Sequence, residues 1–296
     1  MQKIKNWFEM IRVNNSRVIL SRSKAGTFVI GLFVTLMSLF MLLPVIYSVV
    51  QAFKPIEEIY AFPPKFFVQN PTIENFKMVL QLAGNLWVPF SRYLFNSLLI
   101  SIVGTLVQVF IGTLASYPLA KGHFPGRKMM STAIVWAMLF NGSVTTMPRY
   151  LIIAGLGMVD TYWAILLPAM ASTMGVFLMR QFMITAIPDS TLEAARIDGA
   201  NEFTIFFRIV TPSVRSGWMT LVIFAFQGFW NSTNGTYIYS EELKQLPSVL
   251  NSIAAGGIAR AGASSAVAVI MMLLPMIVFL ISQSSITETM SHSGLK

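Results

Sequence analysis

Apolar stretches of bilayer-spanning length recur along this chain, separated by short polar or charged segments. A helix rises 1.5 Å per residue, so about 20 consecutive apolar residues cross the hydrocarbon core. Residues 27–52 form the first such stretch, free of charge from Thr27 to Gln51, with Pro44 tolerable in a membrane helix. Residues 94–120 form the second. Residues 131–147 form the third, which is short and bent around Asn141-Gly142. Residues 161–179 contain Pro168, residues 217–234 end in a polar run, and residues 262–282 contain Pro275. The pattern predicts an all-α membrane protein with six transmembrane helices.

The segments between the spans differ in character. Residues 1–26 hold Lys3, Lys5, Arg12, Arg17, Arg22 and Lys24 against Glu9. They read either as a basic amphipathic helix on the membrane surface or as a solvated tail. The apolar run that follows is too long for a cleaved signal peptide. Residues 53–93 are rich in aromatics and broken by Pro63-Pro64 and Asn70-Pro71, with Thr72 placed to cap a helix through Leu82, which predicts a folded loop. Residues 235–261 form a second loop on the same side, with Tyr237 and Tyr239 as an interfacial aromatic pair, and residues 283–296 form a polar tail. Of the 21 basic residues, 14 fall in the N-terminus, residues 119–130, residues 180–217 and the C-terminus. The excess of Lys and Arg on one side predicts that both termini are cytoplasmic.

The longest polar interruption in the second half of the chain, residues 188–212, is on that same side. Ser190 and Glu193 have capping-box spacing. Gly199 suits the left-handed residue after a helix end. Asn201 can cap a second helix, Phe203 to Ile209, which Pro212 is expected to stop. Small residues and charges of both signs make this a docking surface rather than a mere linker.

Composition fits the membrane reading: 55% of the 296 residues are hydrophobic and 11% are charged, with a mean hydropathy of +0.66. Soluble domains carry about 25% charged residues. The net charge of +9 belongs mainly to one face of the membrane and requires no nucleic acid. Cysteine is absent, and His123 and His292 lie far apart, so neither thiolate chemistry nor a metal site is expected. No P-loop, HExxH or GxSxG occurs, and no catalytic residues are expected. No predicted span contains Asp, Glu, Lys, Arg or His. That counts against a proton-driven carrier and favours a neutral solute. An ion-coupled secondary carrier for such a solute is the alternative reading.

The path through the membrane should then be lined by neutral polar groups. Candidates for it, or for contact with an external protein, are Asn96, Gln108, Asn141, Gln227, Trp230, Asn231, Asn234 and Tyr237. Aromatic faces beside amides suit sugar rings. Helix packing accounts equally well for any one of these residues.

Glu193-Ala194-Ala195, Gly199, Ile209 and Pro212 resemble the EAA loop of binding-protein-dependent ABC importer permeases, with Thr211 where leucine is usual. Asn96-Ser97, Tyr117-Pro118-Leu119-Ala120, Pro148-Arg149-Tyr150, Asp160-Thr161-Tyr162 and Trp230-Asn231 are also similar to that family. The chain looks like the second permease subunit of a maltose-type carbohydrate importer, and resembles a subgroup handling pectin or rhamnogalacturonan oligosaccharides. The tail from Ser284 to Lys296 departs from the family's usual ending. The resemblance implies an ABC type I importer architecture in a bacterial cell membrane, with a sister permease, a cytoplasmic ATPase dimer and an external solute-binding protein as partners. It implies no cofactor of its own, ATP being used by the ATPase subunits. It also implies that Glu193, Ala194, Ala195, Arg196, Asp198 and Gly199 couple to that ATPase, and that residues 239–262 meet the binding protein.

Overall fold

The computed structural model describes residues 24–84, 88–140, 142–257 and 260–293. Among these residues every regular element is helical. The expected amphipathic segment in residues 1–26 lies almost wholly outside them, as does the path candidate Asn141. The chain divides into two units, residues 1–47 and 48–296. The first helix, α1 (Lys24–Ala52), passes from one to the other. In the first unit α1 is apolar on every side, with Phe28, Phe40 and Met41 each about 70% exposed. A helix with no polar face is matched to lipid or to another apolar surface.

The second unit is a helical bundle. Its elements are α2 (Ile56–Ile59), α3 (Glu74–Gly84), α4 (Phe90–Lys121), α5 (Arg127–Leu139), α6 (Gly142–Gly155), α7 (Trp163–Ala169), α8 (Thr173–Ala186), α9 (Asp189–Ile197), α10 (Glu202–Ile205), α11 (Thr211–Ser213), α12 (Arg215–Asn231), α13 (Leu246–Ala254) and α14 (Ala261–Ser293). Among the described residues four stretches are long and apolar enough to cross a bilayer: Ala25–Ala52, Phe90–Lys121, Trp163–Ala186 and Ala261–Gln283. Glu202–Ser213 and Arg215–Asn231, bent by 76°, form a fifth candidate.

Several boundaries differ from those expected. The helix begun at residue 163 continues to Ala186, past the expected end at 179, with a break at Met170–Ser172 where Ser172 caps α8. The third apolar stretch is two helices, α5 and α6, of 13 and 14 residues, and α6 runs on to Gly155 through Pro148 and Arg149. The last helix extends its backbone through residues expected to form a tail, as far as Ser293. The loop expected at 53–93 is folded. The Asn75 side chain donates to the carbonyls of Ala52 and Lys54, the Thr72 hydroxyl accepts from the Glu74 amide, and Glu58 accepts from the amides of Gln69 and Asn70.

α4 is the central element. It packs along both α8 and α12, and α12 packs in turn on α14. Close approach at the α4–α12 crossing depends on Gly104, where an added Cβ would lie 2.8 Å from the Phe229 ring. Two cores result. One gathers Tyr93, Trp230, Leu246, Leu250 and Val267 around the start of α4. The other gathers Ala120, Met179, Met183, Leu192, Ala195, Phe206 and Val210 around its end. Large-for-small substitution at such a contact forces a neighbour to shift, at a cost of about 1–3 kcal/mol. Gly104→Ala should therefore lower the thermal stability of the detergent-solubilised protein, and Phe229→Leu in the same chain should restore part of it.

Candidate functional site

The polar interruption at residues 188–212 folds into α9, α10, a wide π-type turn at Phe206–Val210, and α11. The expected capping box at Ser190 and Glu193 does not form. α9 starts two residues earlier, with Pro188 at its cap position and no side-chain cap. Asp189 in the first turn supplies negative charge to the helix N-terminus instead. The other end follows expectation. Gly199 has φ +79°, and the amides of Ala200 and Gly199 return to the carbonyls of Ala195 and Arg196, a paired closure that satisfies two terminal carbonyls. Asn201 caps α10, its Oδ1 accepting from the Thr204 amide at 2.7 Å. Pro212 does not stop the helical path. The π-type turn widens the backbone just before it, and the Thr211 hydroxyl donates to the Phe206 carbonyl.

Leu192 and Ala195 are buried in the core around the end of α4. Glu193, Ala194, Arg196, Asp198 and Gly199 are exposed. With them stand two large apolar side chains that the sequence pattern did not single out, Ile197 at 86% and Phe203 at 75% exposure. An apolar pair this exposed beside charges of both signs marks a contact surface.

Side chains at the end of α4 grip this segment at both ends. The Lys121 ammonium donates to Asp189 at 2.8 Å, at the start of α9. The Tyr117 hydroxyl donates to Glu202 at 2.7 Å, and the Arg196 guanidinium donates to the other oxygen of Glu202 at 2.9 Å. Lys121 lowers the Asp189 pKa from its ordinary 3.8. A lowered carboxyl pKa stabilises the fold above its ordinary value and loses that effect as pH falls through the lowered one, so the bridge persists throughout the neutral range. The end of α4 is itself anchored. Arg127 donates to the carbonyls of Leu119, Ala120 and Gly122, and Arg180 donates to that of Leu119. Cations on helix-terminal carbonyls are well placed in the field of the helix dipole.

About 20 Å further along α4, counting 1.5 Å per residue, a cavity of about 410 Å³ lies against the helix. Gln108, Asn234 and Tyr237 of the path candidates line it, together with Arg149, Ser172 and Phe224. Gln108 donates to the Ser172 hydroxyl at 3.1 Å. Tyr237 stacks on Tyr150 of α6 with ring centres 6.5 Å apart. Its loop is pinned by Asp160, whose carboxylate accepts from the amides of Tyr239 and Ser240 and from the Ser240 hydroxyl. These bonds, that of the hydroxyl foremost, hold the Asp160 carboxyl below its usual range.

The other path candidates lie elsewhere. Gln227 and Asn231 are one helical turn apart on the opposite side of α12, in a second cavity against Met271 and Pro275 of α14. Asn96 is fully buried, donating to the carbonyls of Glu242 and Lys244 and accepting from the Tyr162 hydroxyl. Trp230 is 2% exposed, and its indole donates to the Met271 carbonyl at 2.8 Å. Both are engaged in packing. Arg149, expected in a loop, belongs to α6 and places a cation in the first cavity. Pro148, directly before Arg149, conceals in the sequence that the helix continues through both to Gly155.

Residues 104–291 match the family described as binding-protein-dependent transport system inner membrane component. The chain belongs to that family. It is 30% identical over 206 residues to protein LplC of Bacillus subtilis, covering 70% of this chain and 67% of that one. It is 29% identical over 219 residues to the Bacillus subtilis polygalacturonan/rhamnogalacturonan transport system permease protein YtcP, covering 73% and 72%. A crystal structure of a bacterial ABC transporter involved in the import of the acidic polysaccharide alginate superposes with a TM-score of 0.70 at 21% identity, covering 89% of this chain and 98% of that one. The chain is thus a non-catalytic, multi-pass membrane subunit with the ABC type I permease fold, and the self-sufficient carrier is set aside.

An exposed ion pair alone contributes about 0–1 kcal/mol, but two contacts acting on one rigid segment act together. Lys121→Met with Tyr117→Phe should leave insertion and ATP hydrolysis by the assembled transporter largely intact. The double variant should raise the ATP consumed per solute imported several-fold; an unchanged ratio would deny these contacts any role in coupling.

Proposed function

We propose that this chain forms, with a sister permease, the transmembrane path of an oligosaccharide importer driven by a cytoplasmic ATPase dimer and fed by an external binding protein. Six spans cross the membrane, α5 and α6 together making the third and α10 to α12 ending in the fifth. Both termini are cytoplasmic, in keeping with the basic bias of that face. The observation that carries the reading is the rigid seat of α9: its family-pattern residues Glu193 and Ala194 point outward beside Ile197 and Phe203, while Leu192 and Ala195 are locked into the bundle.

A short helix held at both ends moves as a body. Closure of the ATPase would press on α9, and the contacts through Lys121, Tyr117 and Glu202 would carry the displacement to α4. The 76° bend after α11 lets the same push act on α12. Since α4 and α12 both line the first cavity, their relative shift would change its opening, a rigid-body switch. Gln108, Asn234 and Tyr237 supply hydrogen-bonding groups and an aromatic face for a sugar there. An oligosaccharide cargo is supported by the relative YtcP, named for polygalacturonan and rhamnogalacturonan.

The test is Gly199→Val. Open space surrounds Gly199, so a side chain meets no clash inside this chain, but its φ of +79° is one that a β-branched residue adopts at a cost of about 1–2 kcal/mol or more. Oligosaccharide uptake and binding-protein-stimulated ATPase activity should fall together by roughly tenfold or more, with the protein still inserted. Unchanged uptake would remove α9 from the coupling path.

A further inference from the structure

The first cavity contains a charge that the oligosaccharide reading does not by itself require. Arg149 is the charged residue among those lining it, and no Asp or Glu does so. Arg92, Arg127, Arg180, Arg196 and Arg260 all direct N–H groups to oxygens of the protein. The guanidiniums of Arg149, Arg208 and Arg215 have no such partner among the described residues; of these three, only Arg149, which is exposed, lines the cavity. The three ion pairs found there occupy Asp189, Glu202 and Glu241. Asp160, on the loop that carries the cavity's rim, is already taken by Tyr239 and Ser240.

Arg149 is exposed, so its charge is open to an anionic solute, and charged residues that membrane helices turn toward a cavity mark solute pathways. Low-dielectric walls of one sign of charge also raise the local concentration of opposite charge. The planar guanidinium offers paired donors that match a carboxylate. Around it stand the neutral hydrogen-bonding groups of Gln108, Ser172 and Asn234 and the aromatic faces of Phe224 and Tyr237. A volume of about 410 Å³ lies within the usual range for small-molecule sites, about 300–1,000 Å³. Carboxylate, hydroxyls and an apolar ring face are the three features of a uronic-acid sugar.

We propose that Arg149 binds a carboxylate of the transported solute, so that this subunit selects acidic oligosaccharides over neutral ones. This rests on the oligosaccharide reading and replaces the neutral solute expected from spans without charge. Arg149 thereby acts as a specificity-determining residue of the path.

The experiment uses the complete transporter with its binding protein in proteoliposomes. The probes are trigalacturonate, trimannuronate and their methyl esters, which keep the rings but lose the charge. The wild type should import at least one acid faster than its ester. Loss of a charge-assisted hydrogen bond predicts that Arg149→Gln lowers import of that acid by roughly tenfold or more while changing import of the ester by less than about threefold. Arg149→Lys, which keeps the charge, should recover much of the difference. Equal loss of acid and ester import in Arg149→Gln would overturn the proposal in favour of a packing or subunit-pairing role. So would import of the neutral esters alone, which leaves the oligosaccharide reading standing. Import of none of the four sugars would overturn both.

Discussion

The end of an α-helix leaves its last carbonyls without intrahelical partners, and side chains or water must supply the donors. At α4 those donors are Arg127 and Arg180, which fix the carbonyls of Leu119, Ala120 and Gly122. Because this helix end is held, Tyr117 and Lys121 become fixed points. From them Glu202 and Asp189 secure the segment that carries the family's coupling pattern. Several basic residues near this end of the bundle thus have structural work besides setting topology.

The same helix joins the two ends of the molecule. α4 brings Lys121 to the coupling segment and Gln108 to the cavity, and its glycine at position 104 lets α12 come close. α12 has two working sides. One places Phe224, Gly228 and Ser232 in the cavity with Arg149; the other places Gln227 and Asn231 against α14. Trp230 lies in the core between elements, where its indole hydrogen bond fixes α12 to α14. The segment at residues 188–212 and both cavities are thus connected through helices that are already in contact.

Much of the architecture was legible in the order of residues. Long charge-free runs are satisfied in lipid as helices, because each backbone N–H then pairs with a carbonyl four residues earlier in the same segment. Gly199 and Asn201 announce their backbone roles locally, since a left-handed turn and a helix cap depend on one or two residues. The pattern from Glu193 to Pro212 pointed to its family because its residue types and spacing are read directly from the chain. Local chemistry misled where a distant group competes. Ser190 and Glu193 could have formed a capping box, but α9 begins at Asp189, the residue that Lys121 binds from far along the chain.

The sequence by itself determined the membrane class, the all-helical fold and the family, which follow from short-range periodicity and local residue pattern. Only the tertiary structure decided what each polar side chain does. Asn96 and Gln108 are both amides on α4, yet the first is consumed by carbonyls some 150 positions away and the second faces a cavity. Arg149 looked like a loop residue until α6 carried it to the cavity wall. A side chain's partners are set by which helices meet, and no local pattern records that meeting.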